Sequence, residues 1–287
     1  FHIIQNELTL DIKWNGSLEW SSKIEDQEKL IQSVNELQSY PKYTPTSIIG
    51  YKKAKKWEPY INFKGNENII FSKADGAIDP KDAISKMIGA IKKNGGSVLY
   101  PCKFEKIIES NDSFSKIKTS MGVLKSQNII FCNGIDIDNS FNINFLKKPR
   151  PGVIIKTKPK KNLINSVVYG PKIHVHQQSN GQIIIGEQIT APVKENSKNH
   201  LKRINKHFRN MVRDASDLNP SEVLIGWRPI PKDDLPIIGR FKNKSVYIAV
   251  MHSGISLAAI VGNLVSQEIV DEVDSLLLKD FRPSRFF

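Results

Sequence analysis

Cysteine is nearly absent from this sequence: Cys102 and Cys132 are the only two in 287 residues, and they form no Cys-x-x-Cys pair. That excludes a disulfide framework and a cysteine-based metal or redox motif. Two isolated thiols are expected to be buried in a reducing, cytoplasmic setting. Long apolar runs are missing too. No stretch reaches the roughly 18 residues needed to cross a bilayer, and the opening residues lack the basic-then-apolar layout of a secretory leader. Without repeats or low-complexity tracts, solenoids and arrays drop out. Arginine is scarce beside lysine, supplying 8 of the 42 basic residues.

What is present describes a globular protein. The hydrophobic fraction is 39% and the charged fraction 25%, and the length allows one large or two ordinary domains. A net charge of +13 invites a nucleic-acid reading, but the lysines are scattered among Ile and Asn. The runs "KKAKK" (Lys52 to Lys56), "KKPRP" (Lys147 to Pro151) and "KPKK" (Lys158 to Lys161) read as solvated loop faces, so no nucleic-acid partner is expected. Weak peripheral attraction to an anionic membrane remains compatible with the charge. The chain opens on Phe1, and "FHIIQNELTLDIKWNGSLEW" reads as strand, turn and strand. We expect it to be the interior and carboxy-terminal part of a longer protein.

Local patterns place the elements. In "DGAIDPKDAISKMIGAIKKNGGSVLY", Asp79 is a helix cap and Pro80 suits the first helical position. Ala83, Ile84, Met87, Ile88 and Ile91 share one face, and Gly95-Gly96 ends the helix before a strand over Ser97 to Tyr100. From Phe104 to Phe131, "FEKIIES", "FSKIKTS" and "NIIFC" predict a meander that runs into Asn133-Gly134. Antiparallel strands follow in "GVIIKTKP", "VVYGPKIHVHQQ" and "GQIIIGEQ", the last two joined by a hairpin at Ser179-Asn180-Gly181. Leu201, Ile204, Phe208, Met211 and Val212 predict a helix over about Asn196 to Ala215. The strand "SVYIAVM" then leads into His252-Ser253-Gly254 and a final helix, "ISLAAIVGNLVSQEIVDEV".

The order Gly-x-Arg-Pro-x-x-x-Asp-x-x-Pro-x-x-Gly from Gly226, then a strand, His-Ser-Gly opening an apolar helix, and a terminal Arg-Pro-x-Arg-Phe resembles the FAD-dependent amine and D-amino-acid oxidoreductases. The "DGAIDP" helix, the meander into "NG" and the hairpin at "SNGQIIIG" follow in that family's order, so the resemblance spans nearly the whole chain. One departure stands out: no Gly-x-Gly-x-x-Gly triplet occurs here, the loop that sets a dinucleotide pyrophosphate on a helix N-terminus.

The resemblance implies site residues. Arg228 takes the place of the arginine that grips a substrate carboxylate through two parallel charge-assisted hydrogen bonds; an ion pair with Asp233 or Asp234 is the plainer alternative. Met251, His252, Ser253, Gly254, Ile255, Ser256 and Leu257 would line the flavin ring. Gly254 would let backbone approach the ring, the helix dipole would face negative charge on it, and Ser256, Ala258, Ala259 and Gly262 would keep the helix slim on its packed side. In glycine oxidase the His252 position is a second arginine. Phe104 would contact adenine through its backbone, Gly134 would lie near the ribose and phosphates, and His174 would stand near the substrate pocket. His174 and His176 share a strand face, but no third ligand completes a metal site. Trp227 would shape the pocket. Neither cysteine falls in the arginine motif, which implies non-covalent FAD.

The expected architecture is α/β plus α+β: an incomplete Rossmann-like FAD-binding domain interleaved with an antiparallel-sheet substrate domain. Residues 1–68 and 146–234 would form the substrate domain, and 69–145 with 235–287 the FAD-binding domain. The expected activity is oxidation of a small amino or imino acid (a D-amino acid, glycine or an N-methyl amino acid) by hydride transfer to flavin. The alternative is a catalytically incompetent fragment or subunit that needs a partner, or an upstream segment, to bind FAD; a basic RNA-associated protein is a more distant third.

Overall fold

The computed structural model describes residues 2–39, 46–187, 197–215 and 220–287. The chain divides into two units that interleave along the sequence. Unit 1 is Phe1–Leu8, Met87–Arg150 and Trp227–Phe287, and unit 2 is Thr9–Lys86 and Pro151–Gly226.

Unit 2 is built on an eight-stranded mixed sheet. Its strands are β2 (Ser17–Glu19), β3 (Thr46–Gly50), β4 (Asn68–Ser72), β10 (Arg150–Thr157), β11 (Val167–Tyr169), β12 (Ile173–Gln177), β13 (Ile183–Glu187) and β14 (Pro220–Arg228). The spatial order is β14-β10-β13-β12-β11-β2-β4-β3, and β11 and β2 run parallel. A short ribbon pairs β1 (Ile12–Lys13) with β5 (Ala77–Ile78). The hairpin at 179–181 forms as expected, with Gly181 at φ +83, the left-handed region that glycine enters most cheaply. Among the described residues, three helices belong wholly to this unit: α2 (Ile24–Gln38), α3 (Tyr51–Trp57) and α6 (Ser197–Met211). Alternation along β2, β11, β12 and β13 turns Leu18, Val168, Val175 and Ile185 to one face, where they meet Ile204, Phe208 and Met211. The expected start of that helix, Asn196, lies outside the described residues.

Two expectations change here. "KKAKK" is not a loop but the body of α3, which buries Ala54 and turns its lysines outward. The segment after residue 68 was placed in the other domain, yet β4 pairs with both β2 and β3 and so stays in unit 2. The long helix α4 (Pro80–Lys93) straddles the division after Lys86. Its cap is as read, the Lys81 amide donating to Asp79 Oδ1 at 2.9 Å.

Unit 1 opens with α1 (His2–Leu8), a helix where the sequence suggested a strand. Residues 97–100, also expected as a strand, are irregular and exposed. A meander of β6 (Phe104–Ser110), β7 (Ser115–Thr119) and β8 (Gly122–Ser126) forms one antiparallel sheet. β9 (Ile129–Phe131), read as its last strand, instead pairs parallel with β16 (Asn243–Val250), which also pairs with β15 (Ile237–Phe241). The reason is tertiary: Val246, Ile248 and Val250 of β16 bury one face against Phe131, Phe141 of α5 (Ile137–Phe141) and Phe145. The other face, with Ile238 and Tyr247, packs on α7 (Gly254–Asp271) through Val261, Leu264 and Val265. The packed stripe of α7 is therefore aliphatic. Ser256, Ala258 and Gly262, expected on that side, lie on exposed positions. Cys132 is exposed and Cys102 half-buried, so neither is the buried thiol expected. No helix among the described residues is long and apolar enough to cross a membrane.

One buried carboxylate ties unit 1 together. Glu268 on α7 accepts hydrogen bonds from Tyr247 Oη at 2.5 Å, the Ser275 amide at 2.6 Å and the Arg282 guanidinium. Burial alone would raise the Glu268 carboxyl, but these donors, led by Arg282, outweigh it and hold the group below 4.5. Because the folded-state value is depressed, the stabilisation is present above about pH 4.5 and is lost as pH falls through the lowered value. Arg282→Ala strands the buried charge. It should cost about 3–5 kcal/mol in urea unfolding at pH 7, with a smaller penalty at low pH; a loss that did not depend on pH would contradict this role for Glu268.

Candidate active site

Arg228 is the last residue of β14, and Pro229 follows it. Proline disfavours helical conformation in the residue before it and cannot donate to a ladder, so the strand ends there. The guanidinium is half-buried and, among the described residues, makes no hydrogen bond or ion pair. Its nearby acids are engaged elsewhere. Asp233 accepts two hydrogen bonds from Arg285, at 2.6 and 3.1 Å, and Asp234 takes Lys147 Nζ at 2.6 Å. The ion pair weighed against a binding role is thus not formed.

The turn after β16 lies within reach of this charge. Partial burial and then the positive charge of Arg228 push the His252 imidazole below its ordinary 6.5, with Asp234 opposing. Imidazole Nδ1 is 3.3 Å from Ser253 Oγ. Ser253 precedes α7 without a side-chain cap, so the first helical amides have no side-chain acceptor from it. A Cβ added to Gly254 would meet nothing within 4 Å, so the backbone here is open to a flat ligand. Gly134 joins the same neighbourhood: its φ is +58, and an added Cβ would touch only Pro229, at 3.8 Å.

The remaining expected residues divide. Met251 is buried under the turn and Leu257 packs partly beside it, while Ile255 and Ser256 are exposed. Phe104 turns its ring edge-on to Phe131 at 5.2 Å, part of the phenylalanine core. Trp227 is exposed.

His174 belongs to unit 2, not to the unit that brings together Arg228, His252, Gly134 and Gly254. Its ring lies against Tyr169, with centroids 5.8 Å apart, and across Gly186, where a Cβ would come within 2.1 Å of the imidazole. Register explains the setting, because Tyr169 pairs with His174 on one side and with Glu19 on the other. All three therefore share the sheet face opposite the aliphatic core. Burial and then Asp75 raise the Glu19 carboxyl; burial, Asp75 and Glu19 raise the Tyr169 hydroxyl. Burial and then His174 push His176 down to about 4, so it is neutral at pH 7. Glu19, Asp75 and Tyr169 were not singled out in the sequence, since their meeting requires the parallel pairing of β11 with β2.

The model of the family described as FAD dependent oxidoreductase matches residues 2–268. The chain belongs to the FAD dependent oxidoreductase family. Among curated relatives, a bifunctional protein ThiO/ThiG from Trichormus variabilis is 22% identical over 190 residues, 63% of this chain and 29% of its own length. A protein of the same name from Synechocystis sp. is 20% identical over 229 residues, 74% of this chain and 33% of its own. This FAD dependent oxidoreductase chain thus spans about a third of the length of the curated relatives it matches. Among solved structures, L-proline dehydrogenase from P. horikoshii superposes with a TM-score of 0.87 at 21% identity, covering 99% of this chain and 80% of that one. Glycine oxidase from Geobacillus kaustophilus gives 0.86 at 16%, covering 98% and 79%. At these identities the likeness is one of fold.

The residues present fit one end of the family's cofactor: an open glycine turn, uncapped helix amides and a free cation suit a flat, anionic ring system. For the pyrophosphate end, the sequence holds no Gly-x-Gly-x-x-Gly loop. Because Arg228 acts on His252 through its charge, Arg228→Ala should move the His252 titration midpoint upward toward 6.5 in proton NMR. An unmoved midpoint would separate the two side chains.

Proposed function

We propose that the protein oxidises a small amino or imino acid, with unit 1 as the FAD-binding body and Arg228 as the group that receives the substrate carboxylate. The observation that carries this reading is a half-buried Arg228 with no counter-ion among the described residues, beside the open turn at Gly254. A planar guanidinium in that state is a ready receptor for a carboxylate, which it fixes in orientation as well as position. Orientation is what such a reaction needs, since the reacting atoms must lie within about 3.5 Å and be aligned.

FAD, when bound, supplies the acceptor that takes the α-hydrogen as hydride, and water then hydrolyses the resulting imine to the keto acid. Arg228 would hold the carboxylate. His252, neutral at pH 7, would offer hydrogen bonds without adding positive charge. The first amides of α7 would favour negative charge near Ser253 and Gly254. Met251 to Leu257 and Gly134 are the residues we assign to cofactor contact, with Phe104 contributing backbone only. Non-covalent attachment is proposed because neither Cys102 nor Cys132 lies in the arginine segment.

The absence of a glycine triplet from this sequence favours a second reading, in which FAD is held only together with a partner or a further chain segment that supplies the phosphate loop. An absorbance spectrum of the purified chain separates the two: bound flavin bleached by amino acids supports the enzyme acting alone, whereas colourless protein supports the partnered form. In flavin-loaded protein, Arg228→Ala should raise KM about ten- to a hundredfold, the worth of hydrogen bonds to a charged group, while flavin absorbance stays unchanged. An unaltered KM would remove the carboxylate role.

A further inference from the structure

Unit 2 carries a cavity that the proposed function does not use. It encloses about 550 Å³, inside the range of small-molecule sites. Its place follows from strand alternation. On β12, Ile173 turns to the helical side and His174 to the opposite face; after β2, Trp20 turns to the helical side and Glu19 does not. The cavity opens on the helical side, between α2 and α6, so the sheet separates it from His174 and Tyr169.

The floor is apolar and built. Trp20, Ile173 and Met211 are at most 7% exposed. Gly170 makes the arrangement fit, because a Cβ there would come within 2.5 Å of Met211 Sδ. One wall is α2, whose Ile24 and Ile31 recur at helical spacing; Ile24 is 78% exposed at the rim, an apolar side chain without cover. Opposite it stands His207, whose imidazole is held below 6.5 by burial, with Glu187 opposing and Lys172, Arg203 and Lys206 adding to the push.

The rim is cationic. Lys23, Lys64 and Lys172 line the cavity, and none of their ammonium groups has an ion-pair partner among the described residues. Two acids also line it, but Glu67 spends its carboxylate on the Lys64 and Gly65 amides, at 2.5 and 2.8 Å, and Glu28 is left exposed on the outer helix.

We propose that this cavity binds a small amphipathic anion, a flat apolar body seated on Trp20, Ile173 and Met211 with its acidic group toward Lys172 and Lys64. The ligand class is an aromatic carboxylate or a compound of like shape and charge, bound independently of Arg228.

The test is titration calorimetry of the 287-residue chain with 2-naphthoate, followed in parallel by tryptophan fluorescence. The expected result is saturable one-site binding with a Kd below about 1 mM, and at least about tenfold weaker binding of the neutral 2-naphthylmethanol. Lys172→Glu should weaken 2-naphthoate about tenfold or more, with Lys172→Gln giving a smaller loss and serving in its place if the glutamate variant does not fold. Ile31→Trp should block the cavity, and Arg228→Ala should change nothing. Absence of saturable binding overturns the proposal. So does equal binding of the alcohol, or a loss caused by Arg228→Ala and not by the lysine variants, which would put the anion at the other site.

Discussion

A carboxylate taken out of water must be given donors, and at Glu268 it is given Tyr247 from β16, an amide from the segment after α7, and Arg282 from near the carboxy terminus. This single group fixes the helix to the strand that precedes it. The turn between them is 252–254, so its shape is inherited from a buried ion pair well over a helical turn away. Three sequence-distant segments converge on one oxygen pair, and each loses its reason for position if the charge is left alone.

The second arginine of the same terminal segment performs the complementary task. Arg285 takes Asp233 and the Leu235 carbonyl, and Lys147 takes Asp234. In a chain with thirteen more basic than acidic residues, free lysines on the surface are unremarked, because water screens them. Arg228 is different: the residue is half-buried and, among the described residues, no acid is paired with it. Unit 1 therefore keeps its acids away from Arg228 by giving them other partners.

Unit 2 shows how one sheet presents two different faces. Side chains alternate across a strand, so neighbours in sequence end on opposite faces. Glu19 and Trp20, or His174 and Ile173, are one bond apart along the chain, yet they contribute to a polar row on one side and an apolar floor on the other. Gly170 and Gly186 each leave space where a Cβ would strike a neighbouring side chain, Met211 in one case and His174 in the other.

Local physics made much of this legible in the sequence. The cap at Asp79, the hairpin at Gly181, the apolar stripe of α6 and the strand–turn–helix around Ser253 follow from short-range rules of capping, turn geometry and periodicity. The order of motifs around Arg228 pointed to the family as well. Other features depended on partners remote in sequence. α1 was read as a strand because seven residues carry too little periodicity to choose. β9 left the meander because β16 offered a better-buried edge, and small residues of α7 lie outward because Leu264 and Val265 fill the packed side. Whether Arg228 is paired or free turns on Arg285 and Lys147, and whether Tyr169 stands beside an acid turns on β2 aligning with β11. Apart from α1, α3 and residues 97–100, the sequence by itself determined which segments are helix or strand and which residues can carry chemistry, since those depend on neighbours a few positions away. Only the tertiary structure decided which charges are neutralised and which faces are covered, because electrostatics and burial depend on distance in space.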